Sequence, residues 1–201
     1  MTNLEHRTRA RFGCQLASIV LLSVLTTGCV SPQSVRIYDL GAAATRSQPL
    51  SGAPVMAVGE PFMLQILNTD RILVRGDDGS ITALAGVQWT DRVPALVQAR
   101  LIRAFEEKGR PAIRTGSGIS ADYVASSELT AFQVNTADTP TVDIQIGVKL
   151  VQSSDGKVIG ARTFRGQQTI STIEGAAVRE GFDTLLTIIS DDVARWSASV
   201  R

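Results

Sequence analysis

The stretch Val142-Asp143-Ile144-Gln145-Ile146-Gly147-Val148-Lys149-Leu150 constrains the fold most, because apolar residues occupy every second position. A strand projects successive side chains to opposite sides, so this pattern sets one face against a core and leaves the other to water. Ser153-Ser154-Asp155-Gly156 then turns the chain into Lys157–Ile170, which predicts an antiparallel hairpin. Directly after it, Glu174–Ser199 spaces Val178, Phe182, Leu185, Ile189, Val193 and Trp196 three or four residues apart. That is a long helix with a single apolar stripe. Its polar side carries Asp183, Asp191 and Asp192 rather than a lysine-rich surface, which favours packing on the sheet over lying on a membrane.

The earlier part of the chain repeats this plan. Arg36–Leu40 and Val55–Val58 read as short strands, separated by the Ala-, Ser-, Gly- and Pro-rich loop Gly41–Pro54. Arg71–Arg75 and Ile81–Leu84 flank Gly76-Asp77-Asp78-Gly79-Ser80, a hairpin turn without the spaced oxygen ligands of a calcium loop. From Asp91 to Lys108 the period becomes helical. Val93, Leu96, Val97, Leu101, Ala104 and Phe105 share one side, Thr90 or Asp91 is placed to cap the start, and Gly109 to end it. Pro111–Arg114 predicts a short strand, and Tyr123–Val134 a longer one with a bulge near Ser126-Ser127. Arg71, Arg75 and Arg100 are expected on the surface. Trp89 is expected to close the core, with partner anchoring as its alternative. The order of elements predicts an α/β domain of the α+β kind: a single mixed, largely antiparallel sheet with two helices on one face.

The N-terminus is of a different kind. Arg7, Arg9 and Arg11 precede an apolar run, Cys14–Leu25, that ends in Thr26-Thr27-Gly28-Cys29. A basic start, a short apolar segment and small residues before a cleavage point describe a secretory signal, residues 1–28. The junction resembles a bacterial lipobox, with Thr26 where leucine is usual. Cleavage between Gly28 and Cys29 would leave Cys29 as an acylated N-terminus, residues 29–35 as a tether and residues 36–201 as the domain. Losing His6 and Cys14 with the signal leaves no histidine and one cysteine. Ser-His-Asp triads, Cys-His pairs, Cys/His zinc sites and an intramolecular disulfide are then excluded. No cofactor or metal is implied. Without Arg7, Arg9, Arg11 and Glu5 the net charge becomes −1, no footprint for nucleic acid.

The segment Gln88-Trp89-Thr90-Asp91-Arg92-Val93-Pro94-Ala95-Leu96-Val97-Gln98-Ala99-Arg100-Leu101, continuing to Ala104-Phe105-Glu106, resembles the central signature of the ABC-type transport auxiliary lipoproteins. Tyr38-Asp39-Leu40, Asp70–Arg75, Asp122-Tyr123 and Glu128–Phe132 are similar to that family in the same order. The resemblance implies a non-enzymatic lipoprotein facing the periplasm and tethered to the outer membrane. Its partners would be an ABC permease, an ATPase and a protein with MCE domains, in a system that moves lipids or hydrophobic compounds between membranes. It also implies a fold like the N-terminal domain of TolB. Val30 and Ser31 follow the cysteine with no aspartate directly after it, which by the sorting rule for such lipoproteins favours the outer membrane. Within the resemblance two roles compete. One is a docking adaptor, as a monomer or a homo-oligomeric ring. The other is a lipid carrier, whose cavity Trp89, Phe105, Phe182 and Trp196 would line. Arg71, Arg75 and Trp89 are the candidate contact residues.

Overall fold

The computed structural model describes residues 34–40, 52–136 and 138–200. Gly28, Cys29 and most of the Gly41–Pro54 segment lie outside these. The described chain runs β1 (Arg36–Tyr38), β2 (Met56–Val58), β3 (Phe62–Met63), a 3₁₀ turn (Gln65–Leu67), β4 (Arg71–Arg75) and β5 (Ile81–Trp89). Then follow α1 (Val93–Glu107), β6 (Ala112–Arg114), β7 (Tyr123–Asn135), β8 (Thr141–Gln152), β9 (Val158–Thr169) and α2 (Gly175–Ser199).

β7 organises a curled, mixed sheet. One edge pairs antiparallel with β8 from Tyr123 to Asn135, and β8 in turn pairs antiparallel with β9. The other edge is shared by three short parallel strands in succession. β2 lies beside Tyr123–Ala125, β3 beside Glu128–Leu129 and β4 beside Val134–Asn135. β6 extends the sheet parallel to β2, while β5 pairs antiparallel with β4 and parallel with β1. Both long pairings are antiparallel, and β8–β9 is the hairpin expected from alternation. The parallel ones are brief and join segments distant in sequence, which no local pattern announces.

Ala125, Leu129, Phe132 and Val134 of β7 and Val142, Ile144, Ile146, Val148 and Leu150 of β8 are all buried under the helices. The bulge in β7 falls between Leu129 and Ala131 rather than at Ser126-Ser127. Alternation stays in phase from Ala125 through Ser127 to Leu129. Thr130 is then the extra residue, and it returns Phe132 to the buried side. β5 outruns the predicted Ile81–Leu84 strand. Gly86, at φ 71°, lets the chain kink and continue to Trp89 along β1.

α1 and α2 pack against each other and close one face of the sheet over a single core. Phe132 and Phe182 stack with ring centres 4.4 Å apart, and Trp89 meets Phe182 edge-on at 5.3 Å. Such ring pairs add about 0.5–1.5 kcal/mol each beyond the area they bury. Gly181 permits the close passage of α2. A Cβ there would stand 2.5 Å from Ile170 Cγ2 and 3.0 Å from Val142 Cγ2, both on stiff β-branched side chains.

Two local expectations are corrected. Neither Thr90 nor Asp91 caps α1: the N-cap is Arg92, and no side chain caps it. The Asp91 carboxylate accepts from the Arg92 N–H at 2.7 Å instead, and the Thr90 hydroxyl reaches Asp39 at 3.3 Å. Arg100 is not a surface residue but is 6 % exposed. Its guanidinium pairs with Asp183, donates to the Leu40 carbonyl, and donates to the Thr187 hydroxyl at 2.5 Å. Three parts of the chain, α1, α2 and the end of the first strand segment, thus converge on one charge. The helical wheel places position 100 inside the apolar stripe, between Leu96 and Val93, but a single wheel cannot reveal that Asp183 of a second helix supplies the partner that lets a charge stay there.

Candidate interaction surface

The three contact residues named from the sequence do not form a common site. Trp89 is 1 % exposed and belongs to the aromatic core, with its Nε1 lacking a hydrogen-bond partner. Its backbone N–H donates to the Asp70 carbonyl at 2.7 Å, tying β5 to the start of β4. Arg71 begins β4 opposite Gln88 and is exposed, whereas Arg75 ends that strand opposite Ile81 and is half-buried. At roughly 3.3 Å per residue the two arginines stand about 13 Å apart along the strand.

The largest exposed apolar group lies in a segment between β2 and β4 that the sequence patterns left unassigned. Phe62 is 74 % exposed, Leu64 71 % and Ile66 46 %. Between them Met63 packs against the core, and Leu67 is buried. The segment is held on both sides. Phe62 and Met63 pair with β7, and the 3₁₀ turn closes through hydrogen bonds from Leu67 N–H to Leu64 O (2.9 Å) and Asn68 N–H to Gln65 O (3.1 Å). Arg92 reaches across from the start of α1, donating to Asn68 Oδ1 at 2.7 Å and pairing with Glu60 at 3.3 Å. The exposed side chains are therefore displayed from fixed backbone. A signal was present in the sequence: Phe62-Met63-Leu64-Gln65-Ile66-Leu67 is apolar on both alternating sides, more than one buried face can absorb.

Phe62 stands opposite Glu128 on the helix-free side of the sheet, at the rim of an open depression of about 660 Å³. Glu128, Gly147, Lys149, Ala161 and Thr163 line it. The missing side chain at Gly147 makes its floor, while Glu128 and Lys149 supply one charge of each sign. A second depression joins Ile37 of β1 to Asn68, Thr69 and Asp70 and to the Thr90–Arg92 turn. Ile37 is 59 % exposed. Its neighbour Tyr38 points the other way, toward Gly175 of α2, so Ile37 is on the helix-free side.

β9 forms one border of the sheet. It pairs with β8, and no other described strand pairs with it. Along it stand Arg162, whose guanidinium lies 5.1 Å over the Phe164 ring, and Arg165, within 3.6 Å of Asp143. Among the described residues no three His, Cys, Asp or Glu side chains converge as metal ligands. In the β4–β5 turn the Asp78 carboxyl is held below its ordinary pKa, first by the Ser80 hydroxyl and then by the Ser80 N–H, which donates at 2.9 Å.

Fold and surface together define an α+β domain that displays a strand edge and a fixed apolar segment. The chain belongs to the family of ABC-type transport auxiliary lipoprotein components, whose sequence profile matches residues 38–194. It is also similar to an uncharacterised protein of Bradyrhizobium diazoefficiens, 30% identical over 179 residues. That alignment covers 85% of this chain, which spans about half (47%) of that relative's length. In structure it resembles protein XCC0632 from Xanthomonas campestris, of the family DUF330, with a TM-score of 0.72 and 25% identity. The match covers 81% of this chain and 94% of XCC0632. A further uncharacterised protein shares the fold at a TM-score of 0.66 and 13% identity, covering 82% of this chain and 99% of that one.

Proposed function

We propose that this auxiliary lipoprotein is a non-enzymatic docking adaptor, anchored by acyl chains on Cys29 to the periplasmic face of the outer membrane. There it seats the MCE-domain protein of an ABC-type system that carries lipids or other hydrophobic compounds between the two membranes. Among the described residues no helix is long and apolar enough to cross a membrane. Attachment is therefore assigned to the lipid, and a stable hold needs two or more acyl chains. Confinement at the bilayer raises the effective concentration of the domain for any partner held nearby.

The observation that carries the docking role is the border strand β9. Its twelve residues, Val158–Thr169, pair on one side with β8 and have no described strand on the other. α2 packs over its face, with Gly160 against Val200 and Trp196 and Gly166 against Leu185. The strand is thus held flat and ready to accept a partner strand through main-chain hydrogen bonds. The arginines at positions 162 and 165 discourage indiscriminate pairing with apolar edges. The carrier reading is less well supported, because of the four aromatics that would line a lipid cavity Trp89, Phe105 and Phe182 are fully buried in the core and Trp196 packs, partly buried, against it.

The test is copurification of the acylated protein with the MCE-domain protein, followed by amide exchange. The adaptor reading expects slowed exchange at alternate residues of 158–169 in the complex. Two folded partners that do not associate would sink it, and a native mass spectrum showing tightly retained lipid would favour the carrier. The same spectrum gives the number of identical subunits.

A further inference from the structure

We propose that the Phe62–Ile66 segment, together with Ile37, is a second and non-covalent contact with the bilayer, which sets how the domain stands on the membrane. The inference deepens the adaptor reading and takes from it the acylation of Cys29. Five residues, Val30 to Ser34, separate Cys29 from Val35, so the two ends stand at most about 20 Å apart when fully extended. The start of β1 is therefore held close to the lipid surface, and what surrounds it must face that surface.

What surrounds it is apolar. Val35 is 45% and Ile37 59% exposed, at the point where the chain enters the domain. Ile37 shares a depression with Asn68, Thr69, Asp70 and Arg92. Arg92 in turn grips Asn68 and Glu60, the residues that bracket Phe62, Leu64 and Ile66. The entry strand β1 and the exposed apolar segment are thus joined through Asn68 and Arg92. Phe62 and Ile37 also share the helix-free side of the sheet. Arg92 pairs with Glu60 and Arg71 follows Asp70 in the chain, while Arg36, exposed between Val35 and Ile37, is a single further cation rather than a basic patch. Insertion should then rest on apolar contact, not on attraction to anionic lipid headgroups. A bilayer suits this arrangement better than a protein partner does, because Val35 and Ile37 lie within eight residues of Cys29, while the free edge of β9 is a separate border of the sheet.

The experiment uses the full acylated chain reconstituted in phosphatidylcholine vesicles containing brominated lipids. Phe62→Trp and, as a second variant, Leu64→Trp report insertion; Ile188→Trp, on the exposed side of α2, is the control. Native mass spectrometry of the same preparation reads the acylation of Cys29 independently. The expected result is a blue shift and severalfold quenching for the indole at positions 62 and 64, a much smaller change at 188, and no dependence on added anionic lipid. Emission unchanged by vesicles at both 62 and 64 would overturn the proposal. So would equal quenching at 188, or a shift that occurs only when a protein of the transport system is added, which would make the segment a protein interface. If the mass shows no acyl chain, the anchor fails, and adding vesicles in excess to the unacylated chain still decides insertion by the same quenching.

Discussion

The two faces of the sheet obey the same alternation and end in opposite roles. On the helix-covered face, Leu129, Phe132, Ile144, Ile146 and Val148 are fully buried, and Phe182 and Trp89 complete the core. On the other face the residues between them, Glu128, Gly147 and Lys149, line an open depression whose rim is an exposed phenylalanine. Apolar side chains on the first face are there because α1 and α2 cover them. Phe62, Leu64 and Ile37 are apolar and exposed, with no described part of the domain covering them. Exposure of a single apolar residue is ordinary, whereas a fixed run of large ones marks a candidate contact surface. Hydrophobicity alone therefore does not separate core from interface here; coverage does.

The sharpest test of that contrast is Phe182→Ala. Phe182 is fully buried and touches both Phe132 and Trp89, so the truncation should cost about 3–5 kcal/mol, read from denaturant unfolding. A loss below 1 kcal/mol, by the same scale of core truncations, would mean the helix-covered face is not the core. Next comes Arg100→Met, which takes the donor from the Leu40 carbonyl and leaves Asp183 with the longer Arg179 pair at 3.9 Å. Because Asp183 is still 24% exposed and keeps some water, the expected cost is near the lower end for a broken buried pair, about 3 kcal/mol. Asp183→Asn in the same background should return part of it, and a double-mutant cycle measures the coupling.

A smaller effect is expected at the β4–β5 turn. Asp78 has a lowered pKa in the folded chain, so its contribution to stability is present above the ordinary carboxylate pKa of about 3.9 and is lost as pH falls through its lower folded value. The melting difference between the native chain and Asp78→Ala should accordingly shrink in acid; a difference that grew there would reverse the sign. The least change in stability is expected for Phe62→Ser with Leu64→Ser, within about 0.5 kcal/mol, since neither side chain is covered. If this double variant unfolded as readily as Phe182→Ala, the two faces would not differ in the way described.

Periodicity in the sequence determined the two helices, the β8–β9 hairpin and the β4–β5 turn, because each depends on neighbours three or four residues apart, or two, along the chain. The place of Trp89 just before an amphipathic helix marked it as core, and the resemblance of Gln88–Glu106, not periodicity, pointed to the family. Only the tertiary structure decided the three parallel strands sharing one edge of β7, the burial of Arg100 and the true place of the β7 bulge. These depend on segments brought together from far along the chain. Arg100 is buried because α2 and Leu40 arrive over it, eighty-odd and sixty residues away. The Phe62–Ile66 surface was hidden for the same reason: its apolar letters match those of a core strand, and which of them are covered is settled by what packs above.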